Sequence, residues 1–451
     1  MKEILQKYLR DFSPMKAILY GYCTMIVVGT ILLYQPFALK TGATPNWMTA
    51  FFTATSATCV TGLVVVDTYT HWSGLGQLII LCLIQIGGIG FMTVCISAVS
   101  LTKKKIGFVS RSLMQNSISA PQLGGIVRMS HFVFWGALFV ETIGAFLLAV
   151  EYVPKYGAVQ GAWYSIFHSI SAFCNAGFDL MGQEVVYSSM TASVGNVYIN
   201  VILMLLIVIG GLGFFVWQDI IEAKLKFSQM HLHTKLVVFV SVVLILGGAI
   251  GIHITQFATP QYQEMSTGTR VLSSIFQSVT ARTAGFNTLD LDQFTEAGLF
   301  CMMILMLIGG SAGSTAGGMK TTTFAVLCLS VITTFDHRKS IEVFGRRLEE
   351  GITRKASCIF MMYLFVMCIG AMAISQIEGI SMLHASFECV SAVATVGLTT
   401  GITGNLSNAS LIILAILMIF GRAGSLTMLL AFASKKAPAI SKLPLEKIQI
   451  G

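Results

Sequence analysis

Several long stretches of the chain have no charged residue. They run from Ala17 to Leu39, Thr68 to Thr102, Val185 to Gln218, Leu236 to Gln263 and Cys389 to Gly421. Each is longer than the ~20 residues that an α-helix needs to cross a bilayer. Only helices and closed barrels satisfy their backbone hydrogen bonds in lipid, and these stretches lack the alternation of barrel strands. The sequence therefore predicts an all-α integral membrane protein that crosses the membrane several times.

The net charge of +8 is distributed unevenly between alternate loops. One set comprises the N-terminus, residues 102–128, 224–235 and 333–355 and the C-terminal tail, and holds 22 of the 28 Lys and Arg residues. The opposite set holds Lys40, Lys155, Arg270 and Arg282, while Lys320 and Arg422 lie inside apolar stretches. The positive-inside rule predicts that the first set and both termini are cytoplasmic. Basic clusters such as Lys103–Lys105 are interpreted as orientation signals facing anionic lipid, so nucleic-acid binding is not expected.

Four segments of the chain resemble one another, at residues 50–63, 165–178, 274–286 and 385–398. Each has an aromatic residue, then Ser or Thr followed by Ala, and then a glycine before a large apolar residue. The glycines are Gly62, Gly177, Gly285 and Gly397, separated by 115, 108 and 112 residues, and the third segment is one residue shorter. Self-similarity of this kind indicates repeated supersecondary units.

An apolar helix is predicted on either side of each short segment. The preceding helices cover residues 17–36, 128–150, 236–257 and 356–377, and the following ones contain Gly87-Gly88, Gly210-Gly211, Gly309-Gly310 and Gly421-Arg422. The predicted unit is an outer helix, a short re-entrant pore helix, a glycine loop and an inner helix. Four units give eight spanning helices and four re-entrant ones around a central pore. Their predicted limits are residues 1–101, 102–223, 224–335 (with a broken inner helix) and 336–434, followed by a cytoplasmic tail at 435–451.

The glycine loops are the candidate ion-binding residues. Irregular backbone at membrane depth is tolerated only where it is buried in protein or lines a water-filled cavity. Carbonyl oxygens around an axis can replace the hydration shell of a cation, and glycine adds no side chain there. The sequence predicts a potassium filter made of Val60, Thr61, Gly62, Asn175, Ala176, Gly177, Thr283, Ala284, Gly285, Thr395, Val396 and Gly397. Four acidic residues beyond the loops either make the outer mouth negative or are ordinary loop residues: Asp67, Asp179, Asp290 and Asp292.

These loops are similar to degenerate potassium-channel filters, and the fourth keeps Thr395-Val-Gly. Over nearly the whole chain, the four-repeat arrangement resembles the Trk/Ktr/HKT superfamily of potassium transporters, and within it the KtrB-type membrane subunits. The resemblance implies potassium uptake with sodium as a coupling or activating ion, a homodimer with one pore per protomer, and a cytosolic nucleotide-binding regulatory ring. No G-x-G-x-x-G occurs on this chain, so the partner would bind the nucleotide, and no cofactor is expected here. In plant relatives a serine at the position of Gly62 accompanies sodium preference, so the glycine argues for potassium.

A glycine-rich segment interrupts the third inner helix. It comprises Gly309, Gly310, Ser311, Ala312, Gly313, Ser314, Thr315, Ala316, Gly317 and Gly318. Each glycine costs roughly 1 kcal/mol relative to alanine inside a helix, and a helix-packing patch would explain only one Gly-x-x-x-Gly. The sequence therefore predicts a flexible gate loop below the filter, which the resemblance supports.

Two charged residues lie in apolar stretches of the predicted helices. Arg422 occupies the position equivalent to Gly88, Gly211 and Gly310. It is predicted either to form a barrier that repels cations or to hydrogen-bond carbonyls of the broken helix, and the two roles are compatible. Glu141 is expected to be a packing or helix-contact residue.

Other functional classes are less well supported. No H-E-x-x-H occurs, Met319 stands where a phosphate-binding loop requires glycine, and the ten cysteines form no C-x-x-C. We therefore do not expect an enzyme. A transporter of sodium or another monovalent cation remains an alternative, because discrimination depends on sub-ångström geometry. A non-conducting scaffold would tolerate substitution of the glycines.

Overall fold

The structure is a computed structural model that describes residues 14–90, Thr93, residues 125–338, residues 340–424 and Glu446. Lys103–Lys105, the beginning of the chain and most of the predicted tail at 435–451 lie outside the described residues. The predicted repeat limits at 101/102 and 434/435 lie outside them as well.

The described chain is helical apart from one short hairpin. The first repeat contains α1 (Pro14–Tyr34), α2 (Trp47–Cys59) and α3 (Gly74–Ile89); the second contains α4 (Ile126–Tyr156), α5 (Ala158–Phe173), α6 (Val197–Leu212) and α7 (Phe214–Glu222). The third contains α8 (Leu232–Gln256), α9 (Thr267–Thr280), α10 (Glu296–Leu307) and α11 (Thr321–Phe335); the fourth contains α12 (Ile352–Glu378), α13 (Met382–Ala394) and α14 (Asn408–Ala423). Antiparallel strands β1 (Glu342–Val343) and β2 (Arg346–Arg347) precede α12.

Several single turns connect these helices. They are α-helical at Thr68–His71 and Pro260–Gln263, and of the 3₁₀ type at Pro36–Ala38, Met181–Gln183, Thr191–Ser193, Phe227–Gln229, Leu291–Gln293 and Thr403–Asn405.

The four outer helices are long and apolar enough to cross a membrane. By length and composition, the candidate spans in the described residues are Lys16–Tyr34, Val127–Tyr156, Leu232–Gln256 and Ile352–Glu378. The second inner helix meets the same test when α6 and α7 are taken together, although the two are bent by 93°. The other inner helices have 12 to 16 residues. The long helices are therefore the outer members of the repeats.

The short pore helices α2, α5, α9 and α13 lie inside the protein. Their repeated aromatic residues Phe52, Phe167, Phe276 and Phe387 are fully buried. All four inner helices begin at a side-chain cap, in which Ser73, Asn196, Thr295 and Ser407 accept a hydrogen bond from an N–H of the first turn. Such caps satisfy donors that a helix start leaves unpaired. The polar residue before each inner helix therefore defines where the loop ends.

Breaks in the inner helices are more widespread than the sequence predicts. The sequence predicts a broken inner helix in the third repeat, and the second inner helix also breaks, at Gly213, with φ 96° and ψ 140°. The N–H of Phe214 donates to the carbonyl of Gly313 at 2.8 Å instead of continuing the helix. Helix α3 ends at Gly90 and α14 at Gly424, both also with positive φ. Each of these glycines adopts a conformation outside the helical region.

Candidate ion filter and gate

The four repeat glycines meet at one place in the molecule. A Cβ atom on Gly285 would lie 2.5 Å from the carbonyl oxygen of Val396, and one on Gly177 would lie 2.7 Å from the Cα atom of Gly285. The ring closes because Gly62 faces Ala176 and Gly177, while Gly397 faces Thr61 and Gly62. The loops are therefore arranged in the order first, second, third, fourth, and only glycine fits at each contact.

The backbone of the loops is left-handed at two positions in every repeat. The glycines have φ angles of 95°, 69°, 85° and 92°, in chain order. The residues two positions earlier also have positive φ: Val60 (56°), Asn175 (59°), Thr283 (71°) and Thr395 (52°). This region is unfavourable for β-branched residues, and such strain persists only where the surrounding structure holds it. The strained conformation recurs four times, which is typical of a functional site.

The pore helices support the loops with one serine or threonine per repeat. The backbone carbonyls of Ser56, Ser171, Thr280 and Ser391 accept the N–H of the residue before the glycine, at 2.8–2.9 Å. In the third repeat the donor and acceptor of this bond are four residues apart, whereas in the other repeats they are five apart. The third segment is therefore one residue shorter at the end of its pore helix and still makes the same bond. The side-chain hydroxyls follow two patterns, since that of Ser391 accepts from Gly397 N at 3.1 Å whereas that of Ser171 donates to the Phe178 carbonyl at 2.7 Å.

Three threonine hydroxyls at the loops make no hydrogen bond within the described structure. They belong to Thr61, Thr283 and Thr395, whose side chains are fully buried. A buried hydroxyl without a partner costs free energy, so each such group calls for an explanation. These hydroxyl oxygens are candidate ligands for a cation, together with the loop carbonyls.

The predicted gate loop lies against the filter end that carries these threonines. A Cβ atom on Gly317 would approach the Thr395 side chain, with Cγ2 at 3.0 Å, and one on Gly309 would lie 3.2 Å from Thr283 Cγ2. The loop is held to the second repeat: Ser311 N donates to the Gly211 carbonyl at 2.9 Å, and Thr315 Oγ1 donates to the Phe173 carbonyl at 3.1 Å. Lys320 Nζ donates back to the Ala316 carbonyl at 2.8 Å. The segment is thus an ordered loop between α10 and α11.

Arg422 connects three repeats at the same level. Its guanidinium donates to the carbonyl oxygens of Thr315 in the gate loop and of Gly87 and Gly88 at the end of α3, the last at 3.0 Å. These contacts correspond to the hydrogen-bonding role, which is one of the two roles that the sequence predicts for Arg422. The role as a barrier to cations stays a prediction.

Inner-helix glycines allow close packing on the pore helices. A Cβ atom on Gly87, Gly210 or Gly421 would collide with the carbonyl oxygen of Thr58, Phe173 or Val393, respectively. Each of these carbonyls lies four residues before a filter glycine. The glycine pairs that recur in the sequence therefore mark where the inner helices touch the ends of pore helices.

Three of the four acidic residues of the predicted outer mouth accept hydrogen bonds from backbone N–H groups of the loops. Asp67 is buried and accepts from Thr70 N at 2.8 Å and from Tyr187 N at 3.1 Å. Asp179 accepts from Met181 N at 3.0 Å, while Asp290 accepts from Asp292 N at 3.2 Å and Asp292 is exposed. These bonds correspond to the interpretation of the acidic residues as ordinary loop residues. Attraction of cations by the same carboxylates stays a prediction.

One basic residue lies in a different place than expected. The sequence assigned Arg282 to an outer loop, but it is buried at the end of pore helix α9, where Nη2 donates to Ser241 Oγ of α8 at 3.1 Å. Arg282 belongs to the repeated segment at residues 274–286, which is predicted to turn back inside the protein. A cation at a helix C-terminus is favoured by the helix dipole. Glu141 is also buried, and accepts from Gln85 Nε2 at 2.8 Å.

Comparison with known proteins places this geometry in a family. The TrkH family model, described as a cation transport protein, matches residues 21–442. The chain belongs to the TrkH family. As a member of this transporter family it is a multi-pass membrane protein for cation uptake and not an enzyme, as the sequence predicted.

Relatives within the TrkH family agree over almost the whole chain. The potassium/sodium uptake protein NtpJ of Enterococcus hirae is 37% identical, covering 99% of this chain and 100% of the relative. The Ktr system potassium uptake protein B of Bacillus subtilis is 36% identical, covering 96% and 95%. The crystal structure of the potassium transporter TrkH from Vibrio parahaemolyticus matches with a TM-score of 0.71 at 18% identity, covering 94% of this chain and 86% of that one. The predicted fold class and family resemblance are confirmed.

Proposed function

We propose that this TrkH-family protein takes up potassium across the cell membrane through the four glycine loops. The observation that carries the proposal is the ring of glycines, in which each loop lies against the next one. Carbonyl oxygens in such a ring can replace the hydration shell of potassium, and the buried hydroxyls of Thr283 and Thr395 extend the set of oxygen ligands. Pore helices that end at the ring direct their partial negative charge towards the cation.

The gate is the loop formed by residues 309–318, between α10 and α11. It lies against Thr283 and Thr395, so an ion leaving the filter at that end requires the loop to move. The hydrogen bonds of Arg422 to Thr315 and to Gly87 hold it in the position described. Conduction therefore requires these bonds to break, and a charged donor with several buried acceptors makes that step costly.

Partners and orientation follow from the relatives and the charge distribution. We propose a homodimer regulated by a cytosolic nucleotide-binding ring, with both termini cytoplasmic and the apolar outer helices facing membrane lipid. The relatives include a protein of a Ktr system and a potassium/sodium uptake protein, which supports a multi-component system and sodium as a coupling or activating ion. A monodisperse monomer in mild detergent would contradict the homodimer.

Uptake of sodium or another monovalent cation is the second candidate. The Enterococcus hirae relative is named as a potassium/sodium uptake protein, and the match covers its full length. Carbonyl filters discriminate between these ions by size and by the number of ligands. The same experiment therefore has to compare the cations directly.

Rubidium and potassium uptake in cells that lack their own potassium uptake tests the proposal. The variants are Gly62→Ser and the control Gly42→Ser, each measured with and without sodium. The two glycines have nearly equal φ angles, 95° and 94°, but a Cβ atom on Gly62 meets the Ala176 carbonyl whereas one on Gly42 meets nothing within 4 Å. The pair therefore separates the effect of the filter contact from the backbone strain that both variants share.

We expect the native chain and Gly42→Ser to restore growth at low potassium. Gly62→Ser should lose at least about tenfold in potassium affinity, since a factor of ten needs only about 1.4 kcal/mol of displaced ligands. Equal uptake by Gly62→Ser and the native chain would refute the filter assignment. Absence of potassium uptake by the native chain, even with a cytosolic partner present, would refute potassium as the substrate and favour the second candidate if sodium is taken up.

A further inference from the structure

One position in the pore helices differs in every repeat although its surroundings are equivalent. It directly follows the buried phenylalanine of each repeat and is occupied by Thr53, His168, Gln277 and Glu388. All four side chains are buried, with at most 1% of their surface exposed. Polar side chains in such places need hydrogen-bond partners.

Glu388 binds the loop that follows its own filter glycine. Its Oε1 atom accepts from Thr400 N at 3.1 Å and from Thr399 Oγ1 at 2.6 Å, and Oε2 accepts from Thr403 Oγ1 at 2.7 Å. The Thr400 N–H can only donate, and the two threonine hydroxyls can donate to an ionised carboxylate as well. Bonds to a charged acceptor are about twice as strong as neutral ones. The carboxylate therefore attaches the outer part of the fourth loop to pore helix α13.

His168 makes the corresponding contact in the second repeat. Its Nε2 atom accepts from Leu180 N at 3.2 Å, and its Nδ1 atom lies 2.7 Å from the carbonyl oxygen of Tyr164. Both contacts are satisfied only by a neutral ring that carries its proton on Nδ1. The ring also packs edge-on against Tyr152, with centroids 5.5 Å apart.

Gln277 completes the series in the third repeat. With its amide oxygen turned to the loop, it accepts from Thr288 N at 3.3 Å and from Leu289 N at 3.2 Å. The shared partner is the backbone N–H three residues after the filter glycine, namely that of Leu180, Thr288 or Thr400. Three chemically different side chains thus make the same bond in the same register.

The first repeat lacks this bond. Thr53 Oγ1 has no partner among the described residues, and the corresponding loop residue is Val65. Its loop is tied to the neighbouring repeat instead, because Tyr187 donates from its hydroxyl to the Val65 carbonyl at 3.0 Å and from its N–H to Asp67 Oδ2 at 3.1 Å. Tyr187 is more than half exposed, so this tie lies at the surface.

We propose that His168, Gln277 and Glu388 are positioning residues for cation selectivity, and that the first repeat differs because its pore-helix residue at this position, Thr53, makes no hydrogen bond to the outer part of its loop among the described residues. They act through the loop and do not touch the ion. A loop that is held at a fixed distance from the axis cannot close around an ion smaller than potassium, whereas a released loop can. Glu388 has the largest effect because it makes three bonds to its loop, whereas His168 makes one and Gln277 makes two. The proposal rests on the proposed function of the filter.

The test uses the full chain in cells that lack their own potassium uptake, with expression in the membrane checked for each variant. Glu388→Leu removes every acceptor at the position, and Glu388→Gln keeps one oxygen for Thr400 N. Thr53→Val is the matched control, since it changes the equivalent residue but removes no hydrogen bond. The readout is the ratio of the half-saturation constants for sodium and potassium, which a merely structural loss of protein does not change.

We expect Glu388→Leu to lower the ratio at least about tenfold, which corresponds to about 1.4 kcal/mol. Glu388→Gln should restore most of the native ratio, and Thr53→Val should leave it unchanged. A native ratio in Glu388→Leu, or an equal loss in Thr53→Val, would overturn the proposal. If Glu388→Leu does not reach the membrane, Gln277→Met, which loses the acceptor at similar volume, decides by the same criterion. Failure of the native chain to take up potassium would instead refute the proposed function.

Discussion

The two ends of the candidate pore differ in how far the four repeats agree. At the filter, every repeat supplies a glycine and a left-handed residue two positions earlier, and every pore helix makes the same backbone bond to its loop. At the inner helices the repeats diverge. In three repeats the described part of the inner helix reaches a glycine with positive φ at the equivalent position, Gly90, Gly213 or Gly424, whereas the inner helix of the third repeat opens into the loop after Leu307.

The difference between filter and inner helices corresponds to two physical tasks, the coordination of a cation and the obstruction of a pore. Coordination of an unhydrated cation requires ligands on all sides, so four equivalent loops suit it. Obstruction of a pore needs only one loop, provided that its neighbours hold it. Arg422, Phe173 and Gly211 supply those contacts from the fourth and second repeats. The filter is therefore built from four equivalent loops, whereas the proposed gate depends on the one inner helix that differs from the others.

Substitution of Arg422 gives the strongest test of this division. Removal of its three hydrogen bonds in Arg422→Met should raise the rate of rubidium uptake about tenfold or more, since bonds to charged groups are worth about 1.5–3 kcal/mol. The ratio of potassium to sodium affinity should not change, because the filter remains intact. Uptake rates at saturating rubidium and competition by sodium provide the two measurements.

Arg422→Lys distinguishes the two roles of this residue. Lysine keeps the charge but lacks the fork that reaches carbonyls on two sides. If the hydrogen bonds hold the gate, Arg422→Lys should behave like Arg422→Met. Native rates in Arg422→Lys together with fast uptake in Arg422→Met would instead support an electrostatic barrier.

The two hydroxyl patterns within the filter predict a smaller difference between repeats. Ser391→Ala leaves the N–H of Gly397 without a partner, whereas Ser171→Ala removes a donor from the Phe178 carbonyl. Buried N–H groups tolerate the loss less well than carbonyls do. We expect Ser391→Ala to lower the unfolding free energy by about 1–3 kcal/mol and Ser171→Ala to lower it less. Thermal unfolding in detergent would measure both, and equal losses would show that the repeats are equivalent here too.

A single hydroxyl of the gate loop gives the smallest expected effect. Thr315→Val removes the bond to Phe173 but keeps the backbone bonds of the loop, so about 1 kcal/mol is lost and uptake should rise about fivefold. Ser314→Ala is the control, because that hydroxyl bonds within the loop, to the Ser311 carbonyl at 2.7 Å. An equal rise in rubidium uptake for both would show that anchoring to the pore helix does not hold the loop.

Much of the fold could be predicted from the chain, but some of the site could not. The repeat glycines and the interrupted third helix were found from composition and spacing alone. Gly213 was missed because a glycine close to Gly210-Gly211 in an apolar helix looks like another packing residue, and the Gly313 carbonyl that accepts from Phe214 N is far away in sequence. His168, Gln277 and Glu388 were missed as a set because they share no chemical type. Their equal offset from the phenylalanine was the one available signal.

The sequence by itself determined the four repeats, the apolar helices and the glycines at the centre, because hydropathy and backbone freedom are local properties of the chain. Only the tertiary structure decided which groups bind one another. Arg422 bonds to Gly88 across 334 residues, and Thr315 bonds to Phe173 across 142. Such bonds depend on the packing of whole repeats to within a few tenths of an ångström, and no local pattern specifies that distance.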